Sequence, residues 1–208
     1  MSCRDCSNGI IQGSGDLKRV FCMVMLLVLL SGCGGSVAAD GSAVRAYFEE
    51  LGGFEAHLKI LSDLEQSVLE YEVGYVYNKE DNDTFTITAP ESLAGIGGTI
   101  AGTDSASFVL QYDGLELDDA MPQRTGLTPA DALFCLLDDL RRAEPAQVWT
   151  ESTGGVDLLV LRYQQDGDDG KVEKQVWLTE QGYQLVCAEL YADGERVLQI
   201  QVTSYRET

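Results

Sequence analysis

The stretch FEAHLKI, Phe54 to Ile60, sets the reading of the fold. Phe54, Ala56, Leu58 and Ile60 alternate with Glu55, His57 and Lys59. A period of two describes a strand with one apolar and one wet face. The same period returns in Leu69, Tyr71, Val73, Tyr75 and Tyr77, and again in Phe85, Ile87 and Ala89. Pro90 ends the third strand, because proline cannot donate to a ladder. Phe108, Leu110 and Tyr112 form another strand, followed by the turn signal Asp113-Gly114.

Upstream the period is helical. Val44, Tyr47, Phe48 and Leu51 make one apolar stripe, so Ser42 to Leu51 is predicted as a helix stopped by Gly52-Gly53. Leu127 to Ala143 is the clearest helix, with Thr128 as N-cap, Pro129 at the first position and Arg141-Arg142 in the last turn. Its stripe is Leu133, Leu136, Leu137 and Leu140. Five strands follow, over 148–150, 157–164, 171–178, 185–191 and 196–204. Turn signals separate them at Gly154-Gly155, 166–170, Gln181-Gly182 and Asp193-Gly194. Leu158 to Leu161 is apolar on both faces, as a strand covered on both sides requires. The predicted fold class is α+β: a strongly curved antiparallel sheet, an incomplete barrel, with helices over its concave face.

The N-terminus reads as an address. Lys18-Arg19 precede eleven apolar residues, Val20 to Leu30, and then Ser31-Gly32-Cys33. A basic flank, a short apolar run and small residues at a cut site define a secretory signal. Eleven residues are too few to span a bilayer, which takes about 20. The Leu30-Ser31-Gly32-Cys33 tetrad resembles the lipobox of bacterial lipoproteins, which implies lipidation of Cys33 after cleavage before it. The expected organisation is a signal peptide over 1–32, a lipid-anchor linker over 33–40 and a domain over 41–208. Gly34 to Asp40 gives a reach of roughly 25 Å when extended. The pair Cys3 and Cys6 would leave with the signal. The expected location is extracytoplasmic, held at the cell membrane by the N-terminal lipid.

The chain of 208 residues carries 34 acids and 14 bases. Without residues 1–32, which hold Asp5, Asp16, Arg4, Lys18 and Arg19, 32 acids and 11 bases remain, a net of −21. Such a surface repels phosphate backbones and excludes nucleic acid as a partner. Cys135 and Cys187 remain beside Cys33, either as an exported disulfide or as small buried hydrophobes.

Catalytic chemistry is poorly supplied. The single histidine, His57, sits in a strand between Ala56 and Leu58, with no nucleophile elbow elsewhere. The glycine-rich Leu93 to Gly98 lacks the phosphate-loop pattern and reads as a bend. Asp166 to Gly170 offers oxygen ligands but fails the calcium-loop pattern, and reads as a solvated hairpin turn. No enzyme activity, metal or cofactor is expected. The aromatics Tyr75, Tyr77, Phe85, Phe108 and Trp177 read as core or as the lining of an apolar site.

Several motifs, in order, resemble the LolA/LppX superfamily of lipoprotein carriers and lipid-binding lipoproteins. They are Ala46-Tyr47-Phe48, Ala89 to Ile96, Leu127-Thr128-Pro129, Trp177-Leu178 and Ala188 to Gly194. More closely, the chain resembles that superfamily's Gram-positive lipoproteins, which include germination lipoproteins of spore-forming clostridia. The resemblance implies a half-barrel around an apolar cavity, lined here by Tyr75, Tyr77, Phe85, Phe108, Leu133, Leu137, Leu140 and Trp177. It implies an acyl chain, lipid or lipoprotein as ligand. The alternative is a ligand-free scaffold or regulator of a cell-envelope enzyme, including a germination-type role. The carriers' buried arginine has no assigned counterpart here; Arg162 lies in a predicted strand flanked by Leu161 and Tyr163.

Overall fold

The computed structural model describes residues 41–208 except 65, 66, 102–106, 119–121, 123, 168 and 169. The signal, the lipobox and Cys33 lie outside the described residues. Helix α1 (Gly41–Glu50) leads into strands β1 (Gly53–Leu64), β2 (Ser67–Asn78), β3 (Asp83–Ala89), β4 (Gly97–Ala101), β5 (Ser107–Tyr112) and β6 (Leu115–Leu117). Helix α2 (Ala132–Arg142) follows. Then come β7 (Gln147–Thr153), β8 (Val156–Gly167), β9 (Gly170–Thr179), β10 (Leu185–Ala192) and β11 (Glu195–Glu207). All eleven strands form one antiparallel sheet, ordered β6-β5-β4-β3-β2-β1-β11-β10-β9-β8-β7. The sheet is open. Its first and last strands in that order, β6 and β7, are its edges.

The alternation read from the sequence is the alternation of burial. Phe54, Ala56, Leu58 and Ile60 are at most 3% exposed, while Glu55 and His57 face solvent. The inner residues of β1 to β5 and β8 to β11 join α1 and α2 in one apolar core. Three strands, β1, β11 and β10, separate β2 from β9. Across a flat sheet that is about 19 Å, wider than one helix with its side chains, about 10–12 Å. Yet α2 bonds to both, through Arg141 to Tyr77 on β2 and through Asp139 to Lys174 on β9. The sheet therefore curls around α2. Register shifts at His57/Leu58, Glu72/Val73, Leu185/Cys187 and Leu190/Tyr191 supply local twist.

Three local readings change. The bend expected over Leu93 to Gly98 ends in a strand, β4, whose Gly98 is required: an added Cβ would stand 2.5 Å from Phe85 Cε1 and 2.8 Å from the Val109 carbonyl. Helix α2 starts at Ala132, not at Leu127. Thr128 does not cap it; its hydroxyl donates to Asp131 Oδ1 at 2.5 Å. Asp131, fully buried, also accepts from the backbone N–H of Gly126 at 2.6 Å and of Thr128 at 3.0 Å, tying the incoming loop to the helix. Cys135 and Cys187 are free, Cys135 on α2 inside and Cys187 on the outer face beside Trp177, with the sheet between them. Burial raises their thiols to about 12 and about 11, so both are inert at neutral pH.

Candidate functional site

The expected cavity lining divides between the two faces of the sheet. Tyr75, Tyr77, Phe85, Phe108, Leu133, Leu137 and Leu140 all point inward, and each is at most 3% exposed. They pack on one another: Phe85 and Phe108 rings lie 5.8 Å apart, and Phe54 stands 5.4 Å from Tyr77 and 6.3 Å from Tyr75. Trp177 is on the other face. It pairs across the sheet with Val160 and Cys187, opposite in parity to the inner Val176 and Leu178. Arg162 also points outward, between the inner residues Leu161 and Tyr163. Its Nη1 lies 3.8 Å from Glu173, and its buried Nε has no hydrogen-bond partner.

Polar side chains fix α2 in the sheet's hollow. On one flank Lys174, 6% exposed, gives Nζ to Asp139 Oδ2 at 2.5 Å and to the Cys135 carbonyl at 3.4 Å. Burial raises the Asp139 carboxyl above its usual range against the pull of Lys174. On the other flank Arg141 donates to the Tyr77 hydroxyl at 3.1 Å and lies 5.3 Å over the Tyr77 ring. Nearby, the Tyr75 hydroxyl donates to Asp83 Oδ2 at 2.6 Å, and burial raises both groups. A groove of about 280 Å³ beside Asp139, Tyr163 and Lys174 and one of about 290 Å³ beside Tyr77, Asp83 and Arg141 run along the two flanks. The sequence did carry one signal for this arrangement: Lys174 occupies an inner position in register with Val176 and Leu178, where a lysine needs a partner.

The outer face holds a second constellation. On β7, Trp149 pairs with Val160 of β8, which pairs with Trp177 of β9. Val160 is fully buried between the two half-exposed rings, and Leu158 is 9% exposed. Glu151 accepts both indole N–H groups, from Trp149 at 2.8 Å and from Trp177 at 2.9 Å. Those bonds hold its carboxyl below the usual range, the Trp177 bond first. Beyond Cys187 a groove of about 420 Å³ continues along Lys59, Leu61, Gln199 and Gln201. At the far edge of the sheet, Tyr112, Leu115 and Leu117 are 50%, 74% and 61% exposed, on the side of β5–β6 that continues from Phe108 and Leu110.

His57 is exposed on β1, and its carbonyl accepts from Thr203 Oγ1 at 3.0 Å. Among the described residues no group of three or more His, Cys, Asp or Glu side chains is placed to hold a metal ion. Of the acidic turn at 166–170, Asp168 and Asp169 lie outside the described residues. Among the described residues no helix is long and apolar enough to cross a membrane.

No protein-family model matches the sequence, and no curated protein matches it. Solved structures do. A LolA superfamily protein from Nitrosomonas europaea is 16% identical, with 82% of this chain and 94% of that chain covered and a TM-score of 0.43. LprF from Mycobacterium bovis is 9% identical over 79% of this chain and 90% of that chain, with a TM-score of 0.43. A chain of the complex of the CwlD amidase with the GerS lipoprotein from Clostridioides difficile is 11% identical over 97% of this chain and 100% of that chain, with a TM-score of 0.40.

Proposed function

We propose that this chain is a membrane-tethered, extracytoplasmic interaction protein that binds an envelope protein through its surface and performs no catalysis. The observation that carries this reading is the filling of the hollow by α2. Leu133, Leu136, Leu137 and Leu140 are 0–2% exposed and occupy the space where an acyl chain would lie, against Phe85, Phe108 and Tyr75. The tether is the lipid on Cys33. The most exposed large apolar side chains, led by Leu115 and Leu117, form a surface open to a protein partner.

A second reading keeps the lipid ligand and has α2 swing outward to admit it. The flanking grooves at Asp139/Lys174 and at Tyr77/Asp83 favour it, since each lies along a seam that would open. Organic extraction of the protein isolated from its own membranes separates the two. The first reading predicts no stoichiometric lipid beyond the Cys33 anchor. A second, non-covalent lipid at one per chain would replace it with the carrier reading.

A further inference from the structure

The outer face of β7, β8 and β9 carries an array of side chains in two rows. Trp149, Val160 and Trp177 pair directly across the three strands, and two residues away along each strand Gln147, Arg162 and Gln175 pair in the same way. Residues opposite one another share a face, and residues two apart keep it. Glu151 accepts both indole N–H groups, which fixes the two half-exposed rings and leaves their faces and edges to a ligand. In the second row Arg162 is not satisfied within the chain. Its buried Nε has no partner, and its Nη1 stands 3.8 Å from Glu173, too far for a hydrogen bond. Among the described residues none bonds to the side-chain amides of Gln147 and Gln175, which flank it.

We infer that this array binds a neutral oligosaccharide laid across the strands, its ring C–H faces on Trp149 and Trp177 and its hydroxyls on Gln147, Arg162 and Gln175. The site is separate from the surface proposed for a protein partner and does not depend on the anchor. Sugar hydroxyls donate and accept, as the two amides do, and the guanidinium adds donors. The two indoles stand two strand spacings apart, about 10 Å, the length of a disaccharide. Charge decides that the ligand is neutral. Glu151, Glu173 and Glu189 border the array, so an anionic chain is repelled and a hydroxyl-rich neutral one is not. A peptide joining the sheet would pair along the β7 edge and meet Trp149 but not Trp177, two strands inward. A chain crossing the strands meets both rings.

Both tryptophans of the chain lie in this array, so intrinsic fluorescence reads it directly. The mature protein, in a detergent without a sugar headgroup, is titrated with chitotetraose and, separately, with cellotetraose. The expected result is a saturable change in tryptophan emission with at least one of them, at millimolar sugar or below. Trp177→Ala should weaken that binding about tenfold, as the loss of one stacked ring does. Gln147→Ala with Gln175→Ala keeps both reporters and should weaken it about fivefold, through lost hydrogen bonds. Emission that neither sugar changes overturns the inference. A midpoint that both variants leave unmoved overturns it as well, because the sugar then binds elsewhere.

Discussion

Lys174 on β9 and Asp139 on α2 meet at 2.5 Å inside the curl of the sheet, and this pair sets how deeply the helix sits. A lysine 6% exposed is held there only by its partners, Asp139 and the Cys135 carbonyl. Removing one member of a buried pair leaves the other charge uncompensated, at a cost of about 3 kcal/mol. Lys174→Ala should lower the unfolding free energy by that amount in urea titration. The double variant Lys174→Met, Asp139→Leu should recover most of it, because it leaves no unpaired charge.

Acid should stabilise this protein as pH falls through the raised carboxyls of Asp83 and Asp139 toward the unfolded Asp value near 3.9. Burial raises the carboxyls of Asp83 and Asp139, so the folded state holds protons that the unfolded chain, with Asp near 3.9, has released. Their contribution is fully present below the unfolded value and is lost as pH rises through the folded value. Relief of repulsion among the 32 acids that remain without residues 1–32 adds to it. Glu151 acts oppositely: its lowered carboxyl contributes above the unfolded value and is lost as pH falls through the folded one. The melting temperature should rise in a scan as pH falls toward about 4, and Asp139→Asn should flatten that rise. A melting temperature that falls over this range would contradict the account.

Gly98→Ala should destabilise by about 1–3 kcal/mol, since the new methyl overlaps the Phe85 ring and the Val109 carbonyl. Phe85→Leu in the same chain should recover part of the loss by freeing the ring edge. The carbonyl contact at 2.8 Å keeps recovery incomplete. A double-mutant cycle in denaturant measures the coupling.

The alternation of β1 to β3 and the turns at Asp113-Gly114 and Asp193-Gly194 could be read from the sequence, because each is decided within a few residues. The turns take positive φ at all four positions, as a two-residue hairpin demands. Strand β4 was hidden, because Gly97-Gly98 resembles a bend until Phe85 is placed over it. The side taken by Trp177 was hidden as well. Val176, Trp177 and Leu178 are apolar in succession, so alternation is silent there and only the register with β8 decides. Whether the hollow is filled depends on the docking of α2, which the contact between positions 139 and 174 controls.

Leu137→Ala should cost about 2–5 kcal/mol, because Leu137, 1% exposed, is ordinary core on this account. Leu115→Glu with Leu117→Glu should change stability by no more than about 0.5 kcal/mol, as exposed sites do. If the β5–β6 hairpin meets the partner, the same double variant should abolish its co-purification with the lipidated protein from membranes. Retained co-purification at normal stability would move the partner surface elsewhere.

The central claim is that the hollow of the sheet is filled by the chain itself. Native mass spectrometry of the unlipidated body, residues 34–208, purified without detergent and then incubated with phospholipid, tests it most directly. The account predicts the bare protein mass before and after incubation. An adduct with the mass of one phospholipid, lost when a disulfide fixes α2 to the sheet, would contradict it.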